Sequence, residues 1–288
     1  MNIGLINDTN ISDNTNIAIS NYFYAINNLF SNVKLINKID DLKNIDCLFI
    51  GNDHRKSHLD IWNNNSFINY CNNNNIKVAV YTAERIQSSY YPWNYNIQEQ
   101  LEKFKFLHQR VIDVDDAIKF NKKIARCSCS LYYKDIYKDC SGFKKNKIVF
   151  FGLVNNREYI KRFNTISTLK KYLDIDIIYK DYNISWKEYI KTISSYKFIL
   201  SPYSLDCNCF HLKFYEALLV NSIPIHQIYS NTLDYYPVES TYSDSIYFIN
   251  SEEVIEKINN FNLLESYNKP WLEDELIDFF INDVGIKF

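Results

Sequence analysis

FILSPYSLDCNCFHLKFYEALLVNSIPIH, residues 198–226, reads as strand, long polar loop, helix, tight turn and strand. A short apolar run ends at Ser201, helical periodicity takes over after His211, Asn221 stops it, and a second apolar run follows. Lys213 and Glu216 lie three apart and therefore share a helix face. The helix begins beyond the carboxyl end of a strand, where open α/β sheets bind ligands. Its unpaired N–H groups and positive dipole end favour an anion such as a diphosphate. On this reading Lys213 neutralises phosphate and Glu216 accepts hydrogen bonds from a ribose, which points to a nucleotide-sugar site. The same spacing also describes a solvated surface pair, so it does not establish a site by itself.

Working outward, both flanks alternate strand and helix patterns, which implies mostly parallel sheets covered by helices. In the first half, strands are expected over 3–6, 33–36, 47–50, 76–81 and 111–114, with helices over 17–30, 59–70 and 116–124. Asp8, Asp53 and His54 follow expected strand ends and are acceptor-side candidates, although a turn or capping role suits the two Asp equally. In the second half, a strand over 148–151 ends at Gly152, whose missing side chain lets a ligand approach the backbone. A helix over 157–172, a strand over 175–179 and a capping box at Ser185 and Glu188 come next. Later strands are expected over 223–226 and 246–249, and helices over 251–261 and 272–281. The polar stretch 134–146 is the linker candidate. The expected organisation is an N-terminal domain over 1–140, a nucleotide-binding domain over 141–270 and a C-terminal helix over 271–288 that crosses back to the first domain.

Composition narrows the classes. With 47% hydrophobic residues and only 5 Gly and 5 Pro, the 288-residue chain can bury sizeable cores and is not a disordered protein. The 24 Tyr and many Asn reflect a compositional bias, so clusters such as Tyr90, Tyr91 and Trp93 carry little functional weight. No window approaches a spanning helix, and the N-terminus lacks a basic region followed by an apolar stretch. Seven Cys, an odd number in a chain of this size, are expected as reduced thiols of a cytoplasmic protein. The pairs Cys127/Cys129 and Cys207/Cys209 are spaced too closely for the usual zinc pattern, and no metal is expected. The net charge of −2 hides a basic middle, from Lys103 to Lys147, and an acidic tail containing Glu273, Glu275, Asp278 and Asp283. Acidic residues interleaved in the middle make a solvated face the simpler reading and nucleic acid a minor one.

The run Tyr196-Lys197-Phe198-Ile199-Leu200, the helix Lys213-Phe214-Tyr215-Glu216-Ala217-Leu218 and the segment Ser222-Ile223-Pro224-Ile225 together resemble the donor domain of GT-B glycosyltransferases, most closely the α-1,3-fucosyltransferases. Asp46-Cys47-Leu48-Phe49-Ile50-Gly51-Asn52 and Tyr81-Thr82-Ala83-Glu84 are similar to two first-half segments of that family, in the same order. The resemblance implies an α/β chain of two Rossmann-like domains facing across a cleft. Position by position it implies that Lys213 binds the diphosphate, that Arg162 (or Arg157, if the register shifts) holds the donor phosphate, and that Glu84 is the general base. Gly152, Tyr203, His211 and Glu216 complete the donor-side candidates. This sequence departs from the pattern at Leu212, where the family carries a donor-contacting Glu, at Pro202-Tyr203, and at Asn221, where the family has Gly. The helix also resembles the exostosin-like transferases, in which an Arg precedes Glu-Ala-Leu.

The expectation is therefore a glycosyltransferase that needs no metal or cofactor. It takes a GDP- or UDP-linked sugar and passes the sugar to a hydroxyl, on a glycan, with inversion. The alternatives are a non-catalytic nucleotide- or glycan-binding descendant, motivated by Leu212, and a transferase acting on modified bases in DNA, motivated by the basic middle.

Overall fold

A computed structural model describes residues 1–6, 17–51, 64–81, 97–126, 130–138, 140, 142–154, 160–179, 184–203, 207–236, 245–259 and 271–287. The chain separates into two compact units. One comprises Met1–Arg126, Ser130–Tyr132 and Trp271–Phe288, and the other Cys127–Cys129 and Tyr133–Pro270. The chain thus passes from one unit to the other ahead of residues 134–146. That polar stretch holds a helix, Lys134–Lys138, with Tyr137 buried, and it supplies the first residues of a strand.

In the first unit β1 (Ile3–Ile6), β2 (Val33–Leu35), β3 (Cys47–Gly51), β4 (Lys77–Tyr81), β5 (Leu107–Val111) and β6 (Lys123–Ile124) form one parallel sheet in the order β2-β1-β3-β4-β5-β6. Side chains alternate between two cores, as the strand period of two requires. Leu48 and Ile50 point to a cluster with Phe67, Cys71, Leu101 and Ala117, whereas Cys47 and Phe49 join Tyr22, Ile26, Leu276 and Phe280. The C-terminal helix Leu272–Phe279 and its π-helical continuation Phe280–Val284 thus cover one face of the first sheet. The sequence placed a strand over 111–114 and a helix over 116–124, and both shift. Asp113 caps a helix over Val114–Phe120 by accepting from the Asp116 N–H, so the strand must end before it. Asn121, left-handed at φ 51°, then closes the helix and releases Lys123 to β6.

The charge asymmetry of the sequence resolves here into pairs. Arg110 is only 5% exposed; its Nε donates to Asp283 at 2.6 Å and its guanidinium to Asp278 at 2.7 Å. Lys123 also reaches Asp283, and Arg126 pairs with Glu275 at 2.7 Å. The acidic tail therefore neutralises part of the basic middle and fastens the last helix to the sheet, which removes much of the argument for a nucleic-acid partner. Burial pushes the Asp283 carboxyl up, but the hydrogen bonds and charges of Arg110 and Lys123 outweigh it and hold it below the usual range. Glu275 goes the other way, because burial outweighs the attraction of Arg126.

In the second unit β7 (Lys145–Phe151), β8 (Ile175–Ile178), β9 (Tyr196–Ser201), β10 (Ile223–Gln227) and β11 (Ile246–Phe248) are parallel in the order β11-β10-β9-β7-β8. The chain enters at β7, winds to β8 at one edge, then returns to β9 on the other side of β7. The reversal between β7 and β9 is a topological switch point. Phe150, Phe198, Leu200, Ile225 and Phe248 pack with Ile166, Leu169 and Val254 on one face. The helix Leu212–Leu219 lies against β9 and β10, with Trp186–Ser194 beside it. Among the described residues no helix is long and apolar enough to cross a membrane.

Truncating Arg110 strands one buried carboxylate, so Arg110→Ala should lower unfolding stability by about 3–5 kcal/mol. Lys123→Ala, whose side chain is 65% exposed, should cost at most about 1 kcal/mol. Because the Asp283 pKa is depressed, its contribution is present at neutral pH and is lost as pH falls through that depressed value. Urea titrations at pH 7 and below pH ~4 check both statements; equal losses for the two variants would contradict the buried clamp.

Candidate functional site

Three elements meet at the switch point. β7 ends at Gly152, whose φ of +154° lies in a region that side chains avoid; a Cβ there would stand 3.0 Å from the Phe150 ring and 3.8 Å from Lys213 Cε. Gly152 is buried, its N–H donates to the Ile178 carbonyl at 3.0 Å, and its missing side chain lets the Phe150 ring and the Lys213 stem pack close to the backbone after β7. Lys213 sits in the first turn of the helix Leu212–Leu219, and its ammonium lies 5.9 Å from the Phe151 ring centroid and 5.5 Å from that of Tyr189. Phe151 and Tyr189 are themselves packed edge to face at 4.6 Å, so the cation rests on a rigid aromatic wall.

Arg162 arrives from the helix Ile160–Leu169 and is 8% exposed. Its Nε donates to the Tyr203 carbonyl at 3.3 Å and its Nη1 to the Leu153 carbonyl at 3.2 Å, while the guanidinium stands 5.7 Å from the Phe150 ring. Those carbonyls belong to the segments that follow β9 and β7, so the guanidinium ties together the two strand ends that flank the switch point. Tyr203 is held in turn: its N–H donates to Gln227 Oε1 at 3.3 Å, and its ring lies 4.3 Å from that of Tyr229.

His211 is the N-cap residue of the helix, yet its side chain makes no capping hydrogen bond. Its Nδ1 is 3.3 Å from Cys209 Sγ, and its buried Nε2 has no hydrogen-bond partner among the described residues. If the thiol donates to Nδ1, as a neutral imidazole allows, the ring proton sits on Nε2, which leaves an orphaned N–H beside the helix N-terminus. Burial drives the His211 pKa well below its ordinary value, and the charges of His226, Arg162 and Lys213 push it further the same way. His211 stands at the N-cap of the helix that carries Lys213 in its first turn. His226 lies behind it, fully buried, with Nε2 3.2 Å from the Cys209 carbonyl and Nδ1 3.0 Å from Ser201 Oγ; burial pulls it down to about 4 against the hydrogen bonds of Cys209 and Ser201.

Arg162, Lys213, His211, Gly152 and the Tyr203 backbone are therefore one constellation within the second unit. It contains two cations, a buried imidazole nitrogen with no partner among the described residues and a helix N-terminus, a set suited to a di-anion. Glu216 is not part of its exposed surface: it is 2% exposed and accepts the Tyr189 hydroxyl. The helical pattern correctly spaces Lys213 and Glu216, but helix Trp186–Ser194 covers the second of them, so Glu216 positions the Tyr189 ring under Lys213. Asp8, Asp53, His54, Glu84 and Arg157 lie outside the described residues, as do Tyr90, Tyr91 and Trp93. Tyr189, Phe150 and His226 escaped the sequence reading; aromatic abundance masked the first two, and nothing in local spacing marks a residue that acts through another. Among the described residues no group of three or more His, Cys, Asp or Glu could hold a metal ion.

No protein-family model matches the chain, and no curated protein matches it. Among solved structures it is similar to an α1,3-fucosyltransferase, at 14% identity and TM-score 0.48 over 100% of this chain and 90% of that one. It is also similar to an α1,3-fucosyltransferase with GDP-fucose, at 15% identity and TM-score 0.46 over 97% and 89%. Scores this low carry no functional inference, which rests instead on the chain's own residues.

An anion bound between Arg162 and Lys213 would offset the charge that depresses His211 and so raise its pKa on binding. Binding then takes up a proton, and affinity increases as pH falls. Calorimetry with sulfate should show tighter binding and proton uptake from the buffer as pH falls below the ordinary imidazole range. His211→Gln should abolish the pH dependence while the protein still binds; a persisting slope in that variant would contradict the coupling.

Proposed function

We propose that the second unit binds the diphosphate of a nucleotide sugar and that the chain is a glycosyltransferase. The observation that carries this is the gathering of Arg162, Lys213 and the unpartnered His211 Nε2 at the switch point of a parallel sheet, where Gly152 lets the Lys213 stem come close to the backbone. The sugar-transfer step itself comes from the sequence resemblance to the α-1,3-fucosyltransferases, which also supplies Glu84 as the acceptor's base.

The chemistry follows from charge. As the anomeric carbon–oxygen bond breaks, negative charge collects on the departing diphosphate, and fixed cations and N–H dipoles stabilise it without reorganising. Lys213 is held on its aromatic wall and Arg162 by two carbonyls, so neither must be ordered when the donor arrives. This makes a metal unnecessary for leaving-group stabilisation. Glu84 takes the proton of the attacking hydroxyl, and single displacement gives inversion. The donor is a GDP- or UDP-linked sugar and the acceptor a glycan hydroxyl. Leu212 opens the helix where fucosyltransferases carry a donor-contacting Glu, so the sugar pocket differs from theirs and fucose is not assigned.

Leu212 also motivates a second reading, a chain that binds donor and has lost transfer. Calorimetry that showed GDP- or UDP-sugar binding, with no hydrolysis or transfer to any acceptor, would favour it.

Under the transfer reading, Lys213→Ala and Arg162→Ala should each lower kcat/KM by about 10²–10³, Glu84→Gln by about 10²–10⁴, and EDTA should leave the rate unchanged. Product formation from labelled GDP- and UDP-sugars measures this. Wild-type rates in both cation variants would overturn the assignment.

A further inference from the structure

Cys207 and Cys209 have no part in donor binding as described, yet their placement is specific. Both are thiols, 8% and 4% exposed, and their Sγ atoms are 3.1 Å apart. A disulfide bond is about 2.05 Å long, so closure needs roughly 1 Å of movement. The residue between them is anchored: Asn208 is 2% exposed, its amide donates to Asn231 at 2.9 Å and its carbonyl oxygen accepts the Thr232 hydroxyl at 2.6 Å. With Asn208 pinned, the two thiols flank a fixed point and stay close to each other. Cys209 Sγ also stands 3.3 Å from His211 Nδ1, which ties the pair to the helix N-terminus. The pair lies in irregular chain between β9 and the helix Leu212–Leu219, where a small backbone adjustment breaks no ladder or helical hydrogen bond.

We propose that Cys207 and Cys209 form a reversible disulfide by exchange with a low-molecular-weight disulfide, and that this bond weakens anion binding at the neighbouring site. The first thiolate, that of the slightly more exposed Cys207, attacks the small disulfide, forms a mixed disulfide and expels one small thiolate. Cys209 loses its proton to solvent and attacks Cys207 Sγ, expelling the second, and the two released thiolates take up the two protons. Two thiols and one small disulfide become one protein disulfide and two small thiols, so electrons and protons balance. Oxidation also removes the S–H that fixes the proton of neutral His211 on Nε2, so the orphaned donor is no longer assured for the anion. This second consequence rests on the anion-site reading above; formation of the disulfide does not.

The full chain incubated with glutathione disulfide, then alkylated, digested and mapped, tests both parts. The expected result is a loss of about 2 Da located to a Cys207–Cys209 link, reversed by dithiothreitol. Calorimetry with sulfate should show about two- to tenfold weaker binding after oxidation, the size of one lost hydrogen bond. Cys207→Ala keeps the Cys209–His211 contact, so it should bind sulfate normally and become insensitive to oxidant. Its far-UV circular dichroism confirms that it has folded. Alkylation of both cysteines after oxidation, or glutathione retained on Cys207 as a mixed disulfide, would overturn the pair. A disulfide that leaves sulfate affinity unchanged would overturn the coupling. Sulfate binding in neither state would sink the anion site and leave the dithiol chemistry standing.

Discussion

A parallel sheet whose chain reverses its winding direction must leave two neighbouring strand ends without a connection crossing between them. In the second unit those ends belong to β7 and β9, and the rest of the site follows from that gap. Arg162 joins the residues that follow β7 and β9 by donating to the Leu153 and Tyr203 carbonyls. The helix after β9 points its N-terminus at the same place and carries Lys213 in its first turn. Two cations and a helix N-terminus at a switch point are the features that the proposed anion site rests on.

The surrounding residues mostly limit motion. Glu216 takes the Tyr189 hydroxyl, Tyr189 packs on Phe151 and on Trp186, and Lys213 lies over the first two rings. Gln227 accepts from Thr165 and from the Tyr203 N–H, tying the Arg162-bearing helix to the loop that Arg162 itself contacts. Preorganisation of this kind lets electrostatic stabilisation act without the penalty of ordering long side chains at the moment of reaction. The first unit solves a different problem. Its last helix arrives from the far end of the sequence, and the buried Arg110 clamp on Asp278 and Asp283 fixes it in place.

Much of the fold was legible because its signals are local. Short apolar runs of β-branched residues became β1, β3, β4, β7, β9 and β10, and the Ser185–Glu188 capping box is formed as read. Asparagine serves as the left-handed stop: Asn221, at φ 56°, follows the helix Leu212–Leu219. The errors came where one residue decides a boundary, as at Asp113 and Asn121, because an Asp after a β-branched run fits either a strand end or a helix cap. The site was legible in part. The resemblance names Lys213 and Arg162, and both stand beside the switch point. Glu216 could not be placed, since whether a helix face is solvated or covered depends on a helix far away in sequence, here Trp186–Ser194. His211 and Cys209 acquire meaning only from the distance between them.

The central claim is that Arg162, Lys213 and the His211 N–H hold one anion at the switch point of the second sheet. A crystal structure of the chain grown with inorganic pyrophosphate tests it most directly. The account predicts a pyrophosphate whose oxygens lie within hydrogen-bond distance of Arg162, Lys213 and His211 Nε2. A pyrophosphate seated elsewhere, or an Arg162 and Lys213 that turn away from a shared ligand, would contradict it.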